Sequence, residues 1–82
     1  MTVYVDPSQF LYRGKMYCHM ATDGDIEELH LMATRLGLQP NWFQNKPGHP
    51  HYDLSPNKRA LAVKCGAVEV SSIELIRKCF RR

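Results

Sequence analysis

The sequence predicts an α/β fold: one small domain with a short, mostly parallel sheet of about three to four strands packed with three helices. Three observations predict it. Two short runs rich in β-branched and aromatic residues, Thr2–Val5 and Ala67–Val70, read as buried strands. Three segments open on a capping signal, and glycine closes two of them. Strand and helix signals alternate along the chain, which favours parallel pairing between the first and last strands.

The elements follow in order. Thr2-Val3-Tyr4-Val5 stops at Asp6-Pro7, a strand ending in a turn. Residues 8–15 contain Arg13-Gly14-Lys15 and read as a loop, and Met16 to Ala21 reads as a second strand with poor alternation. Thr22-Asp23-Gly24-Asp25 offers capping side chains to a helix over about residues 24–36. Glu27 and Glu28 complement its N-terminal dipole, and Ile26, Leu29, Ala33 and Leu36 form its apolar face. Gly37 ends it by accepting a left-handed conformation.

Asn41-Trp42-Phe43-Gln44 reads as a short strand, and Asn45-Lys46-Pro47-Gly48 as a turn. Ser55-Pro56 opens a second helix, with serine capping and proline at the first helical position, and Gly66 follows its end near Cys65. Ser71 or Ser72 caps a third helix over about residues 72–80, with Ile73, Ile76 and Phe80 as its inner face.

A length of 82 residues leaves room for one domain, residues 1–82. Hydrophobic content of 44% and charged content of 23% exclude a wholly disordered chain. Such a small core buries little of its own surface, so a homo-oligomer is expected. Three cysteines (Cys18, Cys65 and Cys79) with no CxxC spacing argue against a secreted disulfide framework. No apolar run resembles a secretory leader or reaches bilayer length, so the expectation is a cytoplasmic protein with no membrane partner. The net charge is +3, with Arg77, Lys78, Arg81 and Arg82 gathered at the C-terminus. Those cations complement a last helical turn, and a nucleic-acid contact is the rival reading.

Two clusters carry the candidate chemistry. His51, Tyr52 and Asp53 precede the second helix, and Lys58 and Arg59 lie in its first turn; a helix N-terminus with added cations suits phosphate. Arg13, Lys15 and His19 form the second cluster. Asp6, Ser71 and Ser72 end the first and last strands, so they border one crevice if those strands are neighbours. Trp42 or Tyr52 is the candidate for stacking on a ring. Asp6, Cys18, His19, Asp23, His30, His49, His51 and Asp53 span the common ligand types, yet none shows a zinc-finger or HExxH spacing, so no metal or other cofactor is assigned. His30, inside the first helix, reads as a hydrogen-bonded core histidine. Cys18 beside His19 is no catalytic dyad by adjacency alone, and no catalytic motif selects a reaction.

The segments Tyr4-Val5-Asp6, Arg13-Gly14-Lys15, Cys18-His19, Asp23, Glu28-Leu29-His30, Leu36-Gly37-Leu38, Trp42-Phe43-Gln44, His51-Tyr52-Asp53-Leu54 and Gly66 to Ser72 occur in an order that resembles the bacterial and phage family named Domain of Unknown Function 4031. The resemblance spans nearly the whole chain and implies no activity. The family's occurrence in phage genomes makes a phage origin an expectation, with sequestration of a host immune nucleotide signal as an analogy of context.

The residues themselves lead to the expectation of a non-catalytic module for a small phosphorylated ligand, a nucleotide or nucleotide-derived signal. The rivals are a metal-dependent hydrolase acting on a phosphate ester or nucleotide, and an adaptor for nucleic acid or protein working through the basic C-terminal helix.

Overall fold

The computed structural model describes residues 2–7 and 10–80. Its mixed sheet has five strands: β1 (Val3–Val5), β2 (Phe10–Tyr12), β3 (Lys15–Thr22), β4 (Tyr52–Leu54) and β5 (Val68–Glu69). Three helices complete it: α1 (Ile26–Arg35), α2 (Pro56–Lys64) and α3 (Ser72–Leu75), the last running on as a π-helical turn over Ile76–Phe80. The α/β class and the parallel pairing of first and last strands stand, since β1 pairs β5 in parallel. The mostly parallel sheet does not. β3 pairs antiparallel with β1, β2 and β4: a tight hairpin joins it to β2, β1 lies on the far side of β2 in the sequence, and β4 arrives only after α1 and the 3-10 turn.

Arg13-Gly14 is a two-residue hairpin turn and not part of a long loop. Tyr12 faces Lys15 across it, and both turn residues have positive φ, 51° and 79°, the sign pattern of a type I′ turn. The Asn41–Gln44 segment is also corrected. Proline at the first position and backbone bonding from Trp42 N–H to the Gln39 carbonyl make a 3-10 turn over Pro40–Trp42. Only Gln44 joins the sheet, through a bridge to His51.

Alternation along the strands divides the interior in two. Val5, Cys18, Met20, Tyr52 and Leu54 pack with Leu29, Met32, Ala33 and Leu36 of the α1 region and Ala62 of α2. Ala21 instead packs with Leu75 and Cys79, with Tyr4 and Val70 alongside. The inner face of the third helix is therefore Leu75 and Cys79, one four-residue step apart, while Ile73 and Ile76 are exposed. Phe80 is partly buried, as an inner-face residue should be.

The predicted caps are partly realised. Ser55 Oγ accepts from Lys58 N–H, and Ser71 with Glu74 forms a reciprocal capping box. Gly37 and Gly66 close α1 and α2 with positive φ. Asp25 caps α1 by position but makes no side-chain cap bond, and Asp23 instead accepts from Thr2 N–H and the Tyr4 hydroxyl. Among the described residues, no helix is long and apolar enough to cross a membrane. Of the basic C-terminal group, Arg77 and Lys78 are exposed, with Lys78 Nζ 5.6 Å from the Tyr4 ring centroid; Arg81 and Arg82 lie outside the described residues.

Candidate functional site

The site grows from the end of β1. Asp6 is buried, and every oxygen it carries is used. Its Oδ1 accepts the His19 backbone N–H at 2.7 Å, and its Oδ2 accepts the Ser72 hydroxyl at 3.2 Å and faces His19 Nδ1 at 2.8 Å. Its carbonyl accepts Arg59 Nε–H at 2.8 Å. Burial works against the carboxylate, but the hydrogen bonds from the His19 ring and amide and from Ser72 outweigh it and hold the Asp6 pKa below the ordinary value. An ionised Asp6 accepts a hydrogen bond from His19 Nδ1–H, which orients the ring and leaves its Nε2 for another partner.

Antiparallel pairing sets His19 opposite Asp53, so both side chains leave the same face of the sheet. His51, two residues before Asp53, leaves that face too. His51 Nδ1 donates to the His49 carbonyl at 2.8 Å, and its Nε2 lies 3.3 Å from Asp53 Oδ1. Burial lowers the His51 pKa, but the Asp53 carboxylate and the His49 carbonyl overcome that and raise it above the usual histidine value. Aromatic rings hold the imidazoles in place. Phe10 stacks on His19 with centroids 4.8 Å apart, His51 meets His19 edge-on at 5.1 Å, and Phe80 meets His49 and His51 edge-on.

Two hollows adjoin this group. One of about 540 Å³ is lined by Asp6, His19, Pro47, Gly48, His49, the α3 residues Ser72 and Leu75, and Ile76 and Phe80 of the π-helical turn. The other, about 570 Å³, is lined by Phe10, Arg13, Lys15, Tyr17, Trp42, Asp53 and Lys58, among others. His19 belongs to the first and Asp53 to the second.

The twelve candidates therefore do not share one hollow. Asp6, His19 and Ser72 meet at the first, with His51 beside His19. Arg13, Lys15, Trp42, Asp53 and Lys58 line the second. Three of the remaining roles are corrected. Tyr52 is only 2% exposed and its hydroxyl lies 2.8 Å from His30 Nδ1, so it is a core residue and no stacking platform. Ser71 is occupied with the capping box of α3. Arg59 reaches Asp6 and Glu69, the latter at 3.0 Å, and is a brace between β1, α2 and β5. Lys58 keeps its place at the hollow, but its Nζ donates to the Leu36 carbonyl at 2.6 Å.

His30 fits its expected role, hydrogen-bonded to Tyr52 and packed edge-on against Phe43. Cys18 is fully buried, and burial with the nearby Asp6 charge pushes its thiol up to about 12, so it supplies no thiolate near neutral pH. Phe10 and Phe80 are site residues that the sequence did not single out. Phe80 carries a helical-face signal, but nothing in the order of residues ties it to His49 and His51.

No curated protein and no solved structure matches the chain. A family model described as "Protein of unknown function (DUF4031)" matches residues 3–82, and the chain belongs to that family.

Proposed function

We propose that this protein binds a small phosphorylated ligand, a nucleotide or nucleotide-derived signal, in the hollow beside the β2–β3 hairpin, without transforming it. The observation that carries the reading is the joint placement of Arg13 and Lys15 with Trp42 around one space of about 570 Å³, which Lys58 also lines while bonded to the Leu36 carbonyl. Cations of this kind neutralise phosphate, and Arg grips two of its oxygens at once. Trp42, 48% exposed, offers a ring face on which a base stacks. A non-glycine residue at positive φ is unfavourable, so the presence of arginine at the hairpin tip supports a use for the guanidinium. In a phage, such a module would sequester a host nucleotide signal. The exposed Ile73, Ile76 and Val68 support self-association, which sedimentation measures directly.

Calorimetric titration with linear and cyclic nucleotides, and with inorganic phosphate as the minimal probe, tests the proposal. The expected result is saturable binding, weakened about tenfold by Arg13→Ala or Lys15→Ala, since each removes a charge-assisted contact, and weakened again by Trp42→Ala. Silence across the panel at millimolar ligand, or undiminished binding in the Arg13→Ala/Lys15→Ala double variant, overturns it.

A further inference from the structure

We infer that His19, His51 and Asp53 form a binding site for a divalent first-row transition ion, zinc(II) foremost, set between the two hollows. Their ligand atoms lie within 4.8 Å of one another. Two imidazoles and one carboxylate suit zinc and its neighbours, and three protein ligands leave a position for water or a ligand oxygen. In a tetrahedral zinc site, bonds of about 2.0–2.2 Å place donor atoms about 3.4 Å apart. The His51–Asp53 pair already stands at 3.3 Å. No other pair has to close by more than about 1.5 Å to reach that spacing, and the His19 side chain, 36% exposed, has room to move.

The surroundings of the three ligands strengthen the assignment. Each ring commits Nδ1 to an acceptor, His19 to the Asp6 carboxylate and His51 to the His49 carbonyl. That is how a second layer of residues fixes metal-ligating histidines, leaving Nε2 as the donor atom. Asp53 Oδ1 is buried with no hydrogen-bond partner among the described residues, although His51 Nε2 stands 3.3 Å away. An ion held between the two would satisfy that oxygen and take the His51 nitrogen as its second donor. The site does not depend on the phosphate reading. Its three ligands are distinct from Arg13, Lys15 and Trp42, so either proposal can fail alone.

Tag-free protein, stripped with chelator and titrated with zinc(II), and separately with cobalt(II) and manganese(II), tests the inference. The expected result is one ion per chain, with zinc shifting the Nε2 resonances of His19 and His51 in long-range ¹H–¹⁵N spectra and leaving those of His30 and His49 in place. This readout uses the unaltered chain and so does not depend on any variant folding. His51→Ala and Asp53→Ala remove the binding. Asp6→Asn, which touches no metal, weakens it about 10- to 100-fold by releasing the His19 ring. His49→Ala keeps the affinity within about twofold, because His49 supplies its carbonyl to His51 and its ring stacks on His51 without ligating. Absence of saturable binding below millimolar ion would mean that a proton alone occupies the gap and would overturn the site. Shifts centred on His30, His49 or a cysteine would overturn it equally.

Discussion

Two pairs of cations, Lys58 with Arg59 and Arg13 with Lys15, have different work, although Arg13, Lys15 and Lys58 all line the second hollow. Lys58 and Arg59 belong to the first turn of α2, and each donates to a backbone carbonyl of another element. Lys58 completes the C-terminal end of α1 at Leu36, and Arg59 holds the chain just past β1 at Asp6. Arg13 lies in the turn between β2 and β3, Lys15 opens β3, and both stand exposed. The same residue types serve scaffold in one place and surface in the other. Which one they serve is decided by the unsatisfied backbone acceptors within reach, since a buried carbonyl left without a donor is costly.

Arg59→Ala is the strongest way to break that distinction. It removes a charged donor from the Asp6 carbonyl and the ion pair with Glu69, and urea unfolding should show a loss of about 2 kcal/mol. An unchanged midpoint would mean that Arg59 braces nothing. Lys58→Met keeps the aliphatic stem and deletes the bond to Leu36, with an expected loss of about 1 kcal/mol in the same measurement. Arg13→Asn should act with the opposite sign. Asparagine tolerates positive φ better, so thermal unfolding should show a gain of about 0.5–1 kcal/mol even as phosphate binding falls. A loss of stability would place Arg13 with the braces.

The smallest effect extends the comparison to a carboxylate. The Thr2 amide, with help from the Tyr4 hydroxyl, holds the Asp23 pKa below its ordinary 3.8. A depressed folded pKa gives stability that is present above the unfolded value and lost as pH falls through the folded one. Wild type and Asp23→Asn should therefore differ at neutral pH and converge in acid. Parallel stability profiles across that range would show that the bond contributes nothing.

The helices are legible in the sequence because their ends are written locally. Ser55-Pro56, Gly66 and the Ser71–Glu74 spacing act within one turn and need no distant partner. The hairpin is not legible, because arginine occupies a turn position where asparagine, aspartate or glycine is the usual signal. In the third helix, Ile73 and Ile76 look like the inner face by hydrophobicity, but Ala21 on β3 selects Leu75 and Cys79. The site follows the same division. Metal-ligand spacing within a segment is absent because His19 comes from β3 while His51 and Asp53 come from β4 and its approach. What could have been read is His51-x-Asp53, two polar groups on one face of a strand whose other face, Tyr52 and Leu54, is core. The partner His19 depends on register, which only the folded sheet supplies.

Asp6 joins β1 to β3, α2 and α3 with four atoms' worth of bonding, and it also aims the His19 ring. One knot thus ties architecture and recognition together, and tension applied at either end is felt at the other. An occupant that grips His19 tightens the strand junction as a whole, so amide exchange at His19, whose N–H ends on Asp6, should slow on occupancy along with that of its neighbours in β1. Evolution would find it hard to retune such a hollow by changing position 6 without loosening the sheet beneath it.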